Sequence, residues 1–166
     1  MSTESPPAAA GAGHSAIGLD PTDRAIIAEL VRDGRTSIRA LAEKLHISRA
    51  NAYSRISRLR ASGTIRGFTT RLDPPKVGLA TTAYVSLTLD QNTWRTVSER
   101  LREISCIESF ALVGGDYDVL ALVRAADNAE LRRIVLEQIQ DIPGVRSTRT
   151  WLVFDEVQGR GVDWQV

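Results

Sequence analysis

Four arginines lie between Ser48 and Gly63, and no acidic residue interrupts them. They are Arg49, Arg55, Arg58 and Arg60. Guanidinium groups at this density are suited to neutralising the phosphates of a nucleic acid. Asn51 lies among them, and an asparagine amide can pair with adenine in the major groove of DNA. The segment therefore predicts a polyanion-binding surface, and an ordinary surface helix with solvated arginines is the alternative.

Two short helices must position these side chains. Ser37 and Ser48 are capping residues, and the apolar residues after each recur at the spacing of a buried helical face. In the second helix Ala52, Ile56 and Leu59 point inward, so short polar residues occupy the opposite face. A bracing helix followed by a helix that enters the major groove is a helix-turn-helix. The residues predicted to contact DNA are Ser48, Arg49, Ala50, Asn51, Tyr53, Ser54, Arg55 and Arg58.

A third helix precedes this pair and completes a trihelical unit. Asp20 followed by Pro21 marks its start, and Gly34 is predicted to close it. Its predicted apolar stripe comprises Ile26, Ile27, Leu30 and Val31.

Charge divides the chain into two parts. From Asp20 to Arg71, eleven Lys or Arg oppose five Asp or Glu, a net charge of +6. From Leu72 onward ten basic and fourteen acidic residues give −4. A basic module joined to an acidic one predicts that only the first meets a polyanion.

The loop Gly114–Asp118 is the second candidate site. Its two glycines let backbone N–H groups approach a carboxylate, and Asp116 or Asp118 can receive an ammonium group. Thr148 and Thr150 on the last predicted strand could complete the pocket from a neighbouring subunit. The predicted effector-binding residues are Gly114, Gly115, Asp116, Tyr117, Asp118, Thr148 and Thr150. A plain hairpin turn explains the loop equally well, and β-propensity explains the threonines.

The spacing of apolar residues changes after Pro74-Pro75, a pair that stops any helix or strand. Alternating and helical spacings then follow in the order strand, helix, strand, strand, helix, strand, which is the βαββαβ order of a ferredoxin-like sandwich. The predicted fold class is α+β, with an N-terminal trihelical (winged) helix-turn-helix joined by a hinge strand to this sandwich. The predicted parts are a disordered tail (1–18), the helix-turn-helix domain (19–64), a linker strand and hinge (65–79), the sandwich (80–157) and a C-terminal tail (158–166).

Composition narrows the classes further. Among 166 residues, 43% are hydrophobic and 25% charged, as in globular proteins. One cysteine and two histidines disfavour a disulfide framework or a zinc site, and we expect no metal and no cofactor. The sequence contains neither an apolar run of membrane-spanning length nor a signal-peptide pattern, so we expect no membrane partner and a cytoplasmic, nucleoid-associated location.

These segments together resemble the leucine-responsive regulatory protein/AsnC (Lrp/AsnC) family of transcription regulators. The resemblance covers Leu19 to Val157 and rests on LDPTDRAIIAEL, RTSIRALAEKLHIS, SRANAYSRISRLRASGTIRGFTTRLDPPKVG and VGGDYDVLALV. The recognition-helix pattern of the family is matched at Ser48, Arg55, Ile56, Leu59, Gly63 and Ile65.

The resemblance implies double-stranded DNA and a small effector, commonly an amino acid, as partners. It also implies a homodimer through the linking strand and C-terminal domain, assembling further to an octamer. We therefore expect a sequence-specific transcription regulator that responds to an amino acid and is not an enzyme. An effector-independent architectural DNA-binding protein and a small cofactor-free enzyme on a ferredoxin-like dimer are the alternatives.

Overall fold

The computed structural model describes residues 18–157, 159 and 161–162. Contacts divide the described residues into two compact units, the first up to Thr69 together with 161–162, the second 70–157 together with 159. The division at Thr69 falls inside the segment predicted as the linker. Of the predicted tails (1–18 and 158–166), residues 1–17, 158, 160 and 163–166 lie outside the described residues.

The first unit consists of three helices, each started by a side-chain cap. They are α1 (Pro21–Arg32), α2 (Ile38–Lys44) and α3 (Arg49–Ala61). The Asp20 carboxylate accepts the N–H of Asp23, and the Ser37 and Ser48 hydroxyls accept N–H groups three residues onward at 3.1 Å. These bonds satisfy helix-terminal donors that would otherwise lack partners. The three helices share a core around the fully buried Ile26, Leu41 and Leu59.

Helix α1 ends at Arg32 with Asp33 as its C-cap, so Gly34 follows the helix directly, as predicted. Two other expectations for this half of the chain are wrong. Val31 is 61% exposed, because Ile26 and its partly buried neighbours already face the other two helices. The stretch from 65 to 72 forms no strand, and a short 3-10 turn, Pro75–Val77, follows it. A strand needs a hydrogen-bonded neighbour, and the described part of this single chain supplies none there.

The second unit is a four-stranded antiparallel sheet with helices on one face. Its strands are β1 (Thr81–Leu89), β2 (Ile107–Leu112), β3 (Val119–Ala125) and β4 (Val145–Leu152), in the spatial order β2-β3-β1-β4. Helix α4 (Trp94–Glu103) follows β1, and α5 (Asn128–Arg133) continues into a π-helical stretch over Ile134–Ile139. This is the predicted ferredoxin-like topology.

One face of this sheet is buried beneath the helices. Alternate residues of β1 and β3 point into a core with Val97, Leu101 and Ile134 from the helices. Those sheet residues are Ala83, Val85, Leu87, Val119, Ala121 and Val123. Their regular alternation is what made the strands recognisable in the sequence.

The opposite face of the sheet, here called the open face, carries no helix in the described part of the chain. Tyr84 and Trp151 are paired on β1 and β4 and are 40% and 43% exposed. Towards one end, Arg124 lies almost buried and donates hydrogen bonds to Glu108, Glu156 and the Thr82 hydroxyl. Bonds to Glu156 and Glu108 hold the pKa of Arg124 above its ordinary value, so it remains charged. The face therefore combines apolar surface with one neutralised buried cation.

None of the helices within the described residues is both long and apolar enough to cross a membrane.

Gly144 provides a test of this packing. Its φ is +98°, and an added Cβ would lie 2.6 Å from the Thr93 Cβ. We expect Gly144→Ala to destabilise the protein by about 2 kcal/mol or more, because both the backbone conformation and the space favour glycine. The check is denaturant unfolding of the full chain. Gly114→Ala, where an added Cβ meets nothing within 4 Å, is the control and should change stability by less than about 1 kcal/mol. Equal effects of the two substitutions would contradict the packing described for Gly144.

Candidate nucleic-acid interface and ligand pocket

Helix α3 presents the predicted DNA-contacting residues much as its spacing indicated. Ala52 and Leu59 are buried, whereas seven of the eight predicted residues are exposed. The exposed ones are Ser48, Arg49, Ala50, Asn51, Tyr53, Ser54 and Arg58. This face can therefore approach a groove or a phosphate backbone.

Arg55 differs from the other seven because it is engaged within the unit. Its Nη1 donates to Asp20 Oδ2 at 2.6 Å and to Asp23 Oδ1 at 2.8 Å. Its Nε donates to Asn51 Oδ1 at 2.7 Å. Only 23% of its side chain is exposed, so Arg55 fastens α3 to the start of α1.

The Asp23 carboxylate is the centre of this cluster and is 1% exposed. Besides Arg55, it accepts a bond from Arg58 Nη2 at 2.6 Å and another from the Asp20 N–H. Burial raises the pKa of Asp23, but hydrogen bonds from Arg58 and Arg55 outweigh burial and hold the pKa below its usual value. The bond from Arg55 likewise lowers the pKa of Asp20. Both groups are therefore ionised near neutral pH.

This cluster changes the interpretation of the arginine-rich segment. The sequence shows no acid between Ser48 and Gly63, yet folding brings two carboxylates of α1 against Arg55 and Arg58. Among the described residues, Arg49 and Arg60 form no ion pair and are exposed. They are the arginines of α3 most available to phosphates, whereas Arg58 divides its donors between Asp23 and solvent, with 47% of its side chain exposed.

In the loop from Gly114 to Asp118, one end is bonded to the sheet, whereas the glycine N–H groups are available to a ligand. Asp118 is committed to the sheet, because its Oδ2 accepts the Leu89 N–H at 2.7 Å and its own N–H donates to Leu87. Gly115 has a φ of +126°, which glycine adopts without strain. No hydrogen bond among the described residues uses the N–H of Gly114 or Gly115.

A pocket of about 210 Å³ lies beside this loop on the open face. It is lined by Ser86, Thr88, Asp116, Tyr117, Ser147 and Arg149. Arg149 Nη1 donates to the Tyr117 hydroxyl at 3.2 Å, and the Tyr117 ring meets Trp151 edge-on at 5.6 Å. The Ser86 hydroxyl is buried and has no hydrogen-bond partner in the described structure. The pocket thus offers one cation, one carboxylate and several hydroxyls.

The two threonines predicted for this pocket lie on the other face of the sheet. Thr148 and Thr150 are opposite Leu87 and Val85, on the side that the helices cover. The Thr148 hydroxyl accepts a bond from Gln140 Nε2 at 2.7 Å. Within one subunit they cannot join the loop pocket, because successive strand residues point to opposite faces. The alternate positions of β4, Ser147 and Arg149, are the ones that reach it.

The sequence did not predict the ion pairs between α1 and α3, nor the presence of Ser86 and Arg149 in the loop pocket. Both depend on contacts between segments that are distant in the sequence. Asp20 before Pro21 indicated a helix cap, but the pairing of Asp20 and Asp23 with Arg55 and Arg58 arises only when α1 packs on α3. Ser86 and Arg149 required the register of β1 with β4, in which these two residues are direct partners. The alternation of β1 was the available indicator, because it places Ser86 opposite the buried set.

Comparisons with known proteins agree with this architecture. Residues 19–60 match the AsnC-type helix-turn-helix domain, and residues 82–162 match the Lrp/AsnC ligand binding domain. An uncharacterized HTH-type transcriptional regulator of Pyrococcus furiosus is 37% identical over 139 residues, covering 82% of this chain and 93% of its own. The leucine-responsive regulatory protein of Escherichia coli K12 is 33% identical over 146 residues, covering 84% of this chain and 87% of its own.

The fold is also that of a transcriptional regulator of Neisseria meningitidis solved in complex with L-methionine. The TM-score is 0.79 at 22% identity, over 85% of this chain and 93% of the other. The two units are thus a DNA-binding helix-turn-helix domain and a ligand-binding domain. The chain belongs to the Lrp/AsnC family of transcriptional regulators.

Asp23→Asn tests the ion cluster. The substitution leaves Arg58 facing a neutral group and Arg55 with Asp20 as its one carboxylate partner, so we expect the helical unit to lose about 2–4 kcal/mol at pH 7. A carboxylate with a lowered pKa stabilises the fold above its unfolded pKa of about 3.9 and ceases to do so as pH falls through the lower folded value. The difference between wild type and variant should therefore shrink below about pH 4. Hydrogen exchange of the α1–α3 amides in the full chain, at pH 7 and below about pH 4, measures this difference in stability.

The control is Glu43→Gln, which removes an exposed ion pair with Arg39 on α2. We expect less than about 0.5 kcal/mol there, because solvent screens such pairs. An Asp23→Asn protein as stable as wild type at pH 7 would show that the cluster does not hold α1 to α3.

Proposed function

We propose that this protein is a one-component transcription regulator whose DNA binding responds to an amino acid bound beside the Gly114–Asp118 loop. It works by binding rather than by catalysis, and it functions as a homo-oligomer built from dimers, up to an octamer. Its place of action is the cytoplasm, at the nucleoid. The sequence-specific contacts are assigned to the exposed face of α3.

The observation that carries the effector proposal is the chemistry of the loop pocket. A zwitterion needs a cation for its carboxylate and an anion for its ammonium group, and Arg149 and Asp116 both line the same space. The N–H groups of Gly114 and Gly115 add donors near that space. The buried Ser86 hydroxyl, which has no partner in the described structure, gains one if a polar ligand enters.

The relatives support an amino acid as the class of effector. The Escherichia coli relative is named for its response to leucine, and the Neisseria meningitidis regulator was solved with L-methionine bound. The walls of the present pocket are hydroxyl-bearing and charged rather than aliphatic. We therefore expect this chain to favour an amino acid with a polar side chain over leucine.

The open face supports the dimer. Tyr84, Trp151 and parts of Leu120 and Leu122 leave apolar surface exposed on the sheet, and a sheet that met water would carry polar residues there. A second copy is the simplest cover, since a two-fold contact uses the same patch twice. The pocket opens on this face, so a partner subunit would also enclose the effector.

Asp116→Asn tests the effector site. Loss of the carboxylate removes the partner of the ammonium group, so we expect affinity for the best amino acid to fall at least about tenfold, or about 1.4 kcal/mol. Calorimetric titration of the twenty amino acids identifies that ligand and measures the change. Asp141→Asn, an exposed aspartate outside the pocket, is the control and should bind as wild type does.

Two outcomes would count against this assignment. Unchanged binding by Asp116→Asn would remove the residue from the site. Wild-type protein that binds no amino acid but retains DNA binding would favour an architectural role instead.

Tyr84→Arg tests the dimer. A charge at the centre of the open face should be desolvated in a sheet-to-sheet contact, so we expect the variant to dissociate towards a subunit of 18.2 kDa. Sedimentation velocity at micromolar concentration distinguishes the species. Val31→Arg places the same charge on exposed α1 and should leave assembly unchanged. A wild-type monomer under these conditions would refute the proposal.

A further inference from the structure

The side-chain amide of Asn51 is oriented by the protein itself. Asn51 lies in the first turn of α3, and its Oδ1 accepts the Nε–H of Arg55 one turn further along at 2.7 Å. The same guanidinium is held at its other end by Asp20 and Asp23, through Nη1. Because the guanidinium is a rigid planar group, anchoring Nη1 fixes the direction of Nε. Arg55 therefore holds the oxygen end of the Asn51 amide towards α1.

This orientation leaves the nitrogen end of the amide as the free end. Asn51 is exposed, and it lines an open cleft with Asp20, Ser54, Arg55 and Arg58. Pairing with adenine in the major groove uses both ends of an asparagine amide, the oxygen accepting from N6 and the nitrogen donating to N7. Here the oxygen already accepts a charge-assisted bond, which is stronger than a bond from the neutral adenine N6 group.

We propose that Asn51 is a specificity-determining residue that reads guanine rather than adenine. Its Nδ2 carries two donors, and guanine presents two adjacent acceptors, N7 and O6, in the major groove. Adenine presents one acceptor beside a donor, and that donor would have to share Asn51 Oδ1 with the Arg55 Nε–H. The inference rests on DNA binding by the helix-turn-helix domain, and it assigns Arg55 a positioning role through Asp20 and Asp23 rather than a phosphate contact.

The arrangement also gives the ion cluster between α1 and α3 a role in base recognition. Asn51 lies in the first helical turn of α3, and the N-terminal residues of a recognition helix are the ones that contact base edges. A flexible asparagine could rotate its amide to suit either purine. Three carboxylate and amide oxygens around one guanidinium remove that freedom, so the base preference is set before DNA arrives.

The test is in vitro selection of DNA bound by the full chain, followed by measured affinities for single-base variants of the selected site. Asn51→Ala identifies the base pair that Asn51 reads, as the position where selectivity disappears. At that position wild type should prefer guanine over adenine by about tenfold, the range of a good base contact. Arg60→Ala, which removes an exposed cation, should weaken binding to all sequences alike and leave this preference intact.

Arg55→Lys tests the positioning role. A lysine can still neutralise Asp20 and Asp23, but it lacks the planar group that holds Asn51 at the same time. We expect the guanine preference to fall to about twofold or to reverse towards adenine, while affinity for non-specific DNA changes less than about twofold.

Asp20→Asn is a second, milder variant in case Arg55→Lys does not fold. Asparagine caps a helix as well as aspartate does, so α1 remains capped while Arg55 loses one anchor. The preference should shift in the same direction by a smaller factor. Adenine preferred by wild type, or a guanine preference unaltered in both folded variants, would overturn the proposal. Failure to bind any DNA would instead contradict the function on which the proposal rests.

Discussion

The helical unit depends on one buried carboxylate. Asp23 is a residue of α1 that is buried against α3. A buried charge is tolerated only where hydrogen-bond donors surround it. Arg55 and Arg58 supply those donors from two positions on α3, three residues apart and hence on one side of the helix. This requirement, together with burial of Ala52 and Leu59, fixes the rotation of α3 about its axis. The outward positions near the start of α3 are outward as a consequence, namely Arg49, Ala50, Asn51, Tyr53 and Ser54.

The same interaction separates two kinds of arginine within one basic segment. A net charge counts all of them alike, but a guanidinium already bonded to carboxylates contributes less to a phosphate contact than a solvated one does. Arg49 and Arg60 keep their charge at the surface, whereas Arg55 acts on its neighbours. Basic composition therefore located the DNA-binding half of the chain correctly without identifying which arginines meet DNA.

Local patterns predicted most of the fold, and contacts distant in sequence account for what they missed. The caps at Asp20, Ser37 and Ser48 and the alternation of β1 act within a few residues, so the sequence displayed them directly. The bond between Asp23 and Arg55 joins residues 32 positions apart, and no local spacing encodes it. Thr148 and Thr150 lie on the sheet face away from the pocket of their own subunit, and the sequence left this open because either face of β4 was chemically plausible until its register with β1 was known. The expected strand after Ile65 failed for the related reason that strand formation depends on a partner.

In the ligand-binding domain, the pocket lies on the sheet face that we propose as the dimer contact, so ligand binding and assembly involve the same surface. The pocket beside Gly114–Asp118 opens on the same sheet face that exposes Tyr84 and Trp151, and Trp151 touches the pocket residue Tyr117. A molecule bound there contacts the surface that a second subunit would cover. If its affinity differs between the free and the covered face, its binding must alter association by the same factor. A ligand that fitted both states equally would leave assembly unchanged however tightly it bound. The proposed regulation therefore requires the partner subunit to contribute to, or restrict, the space beside Arg149 and Asp116.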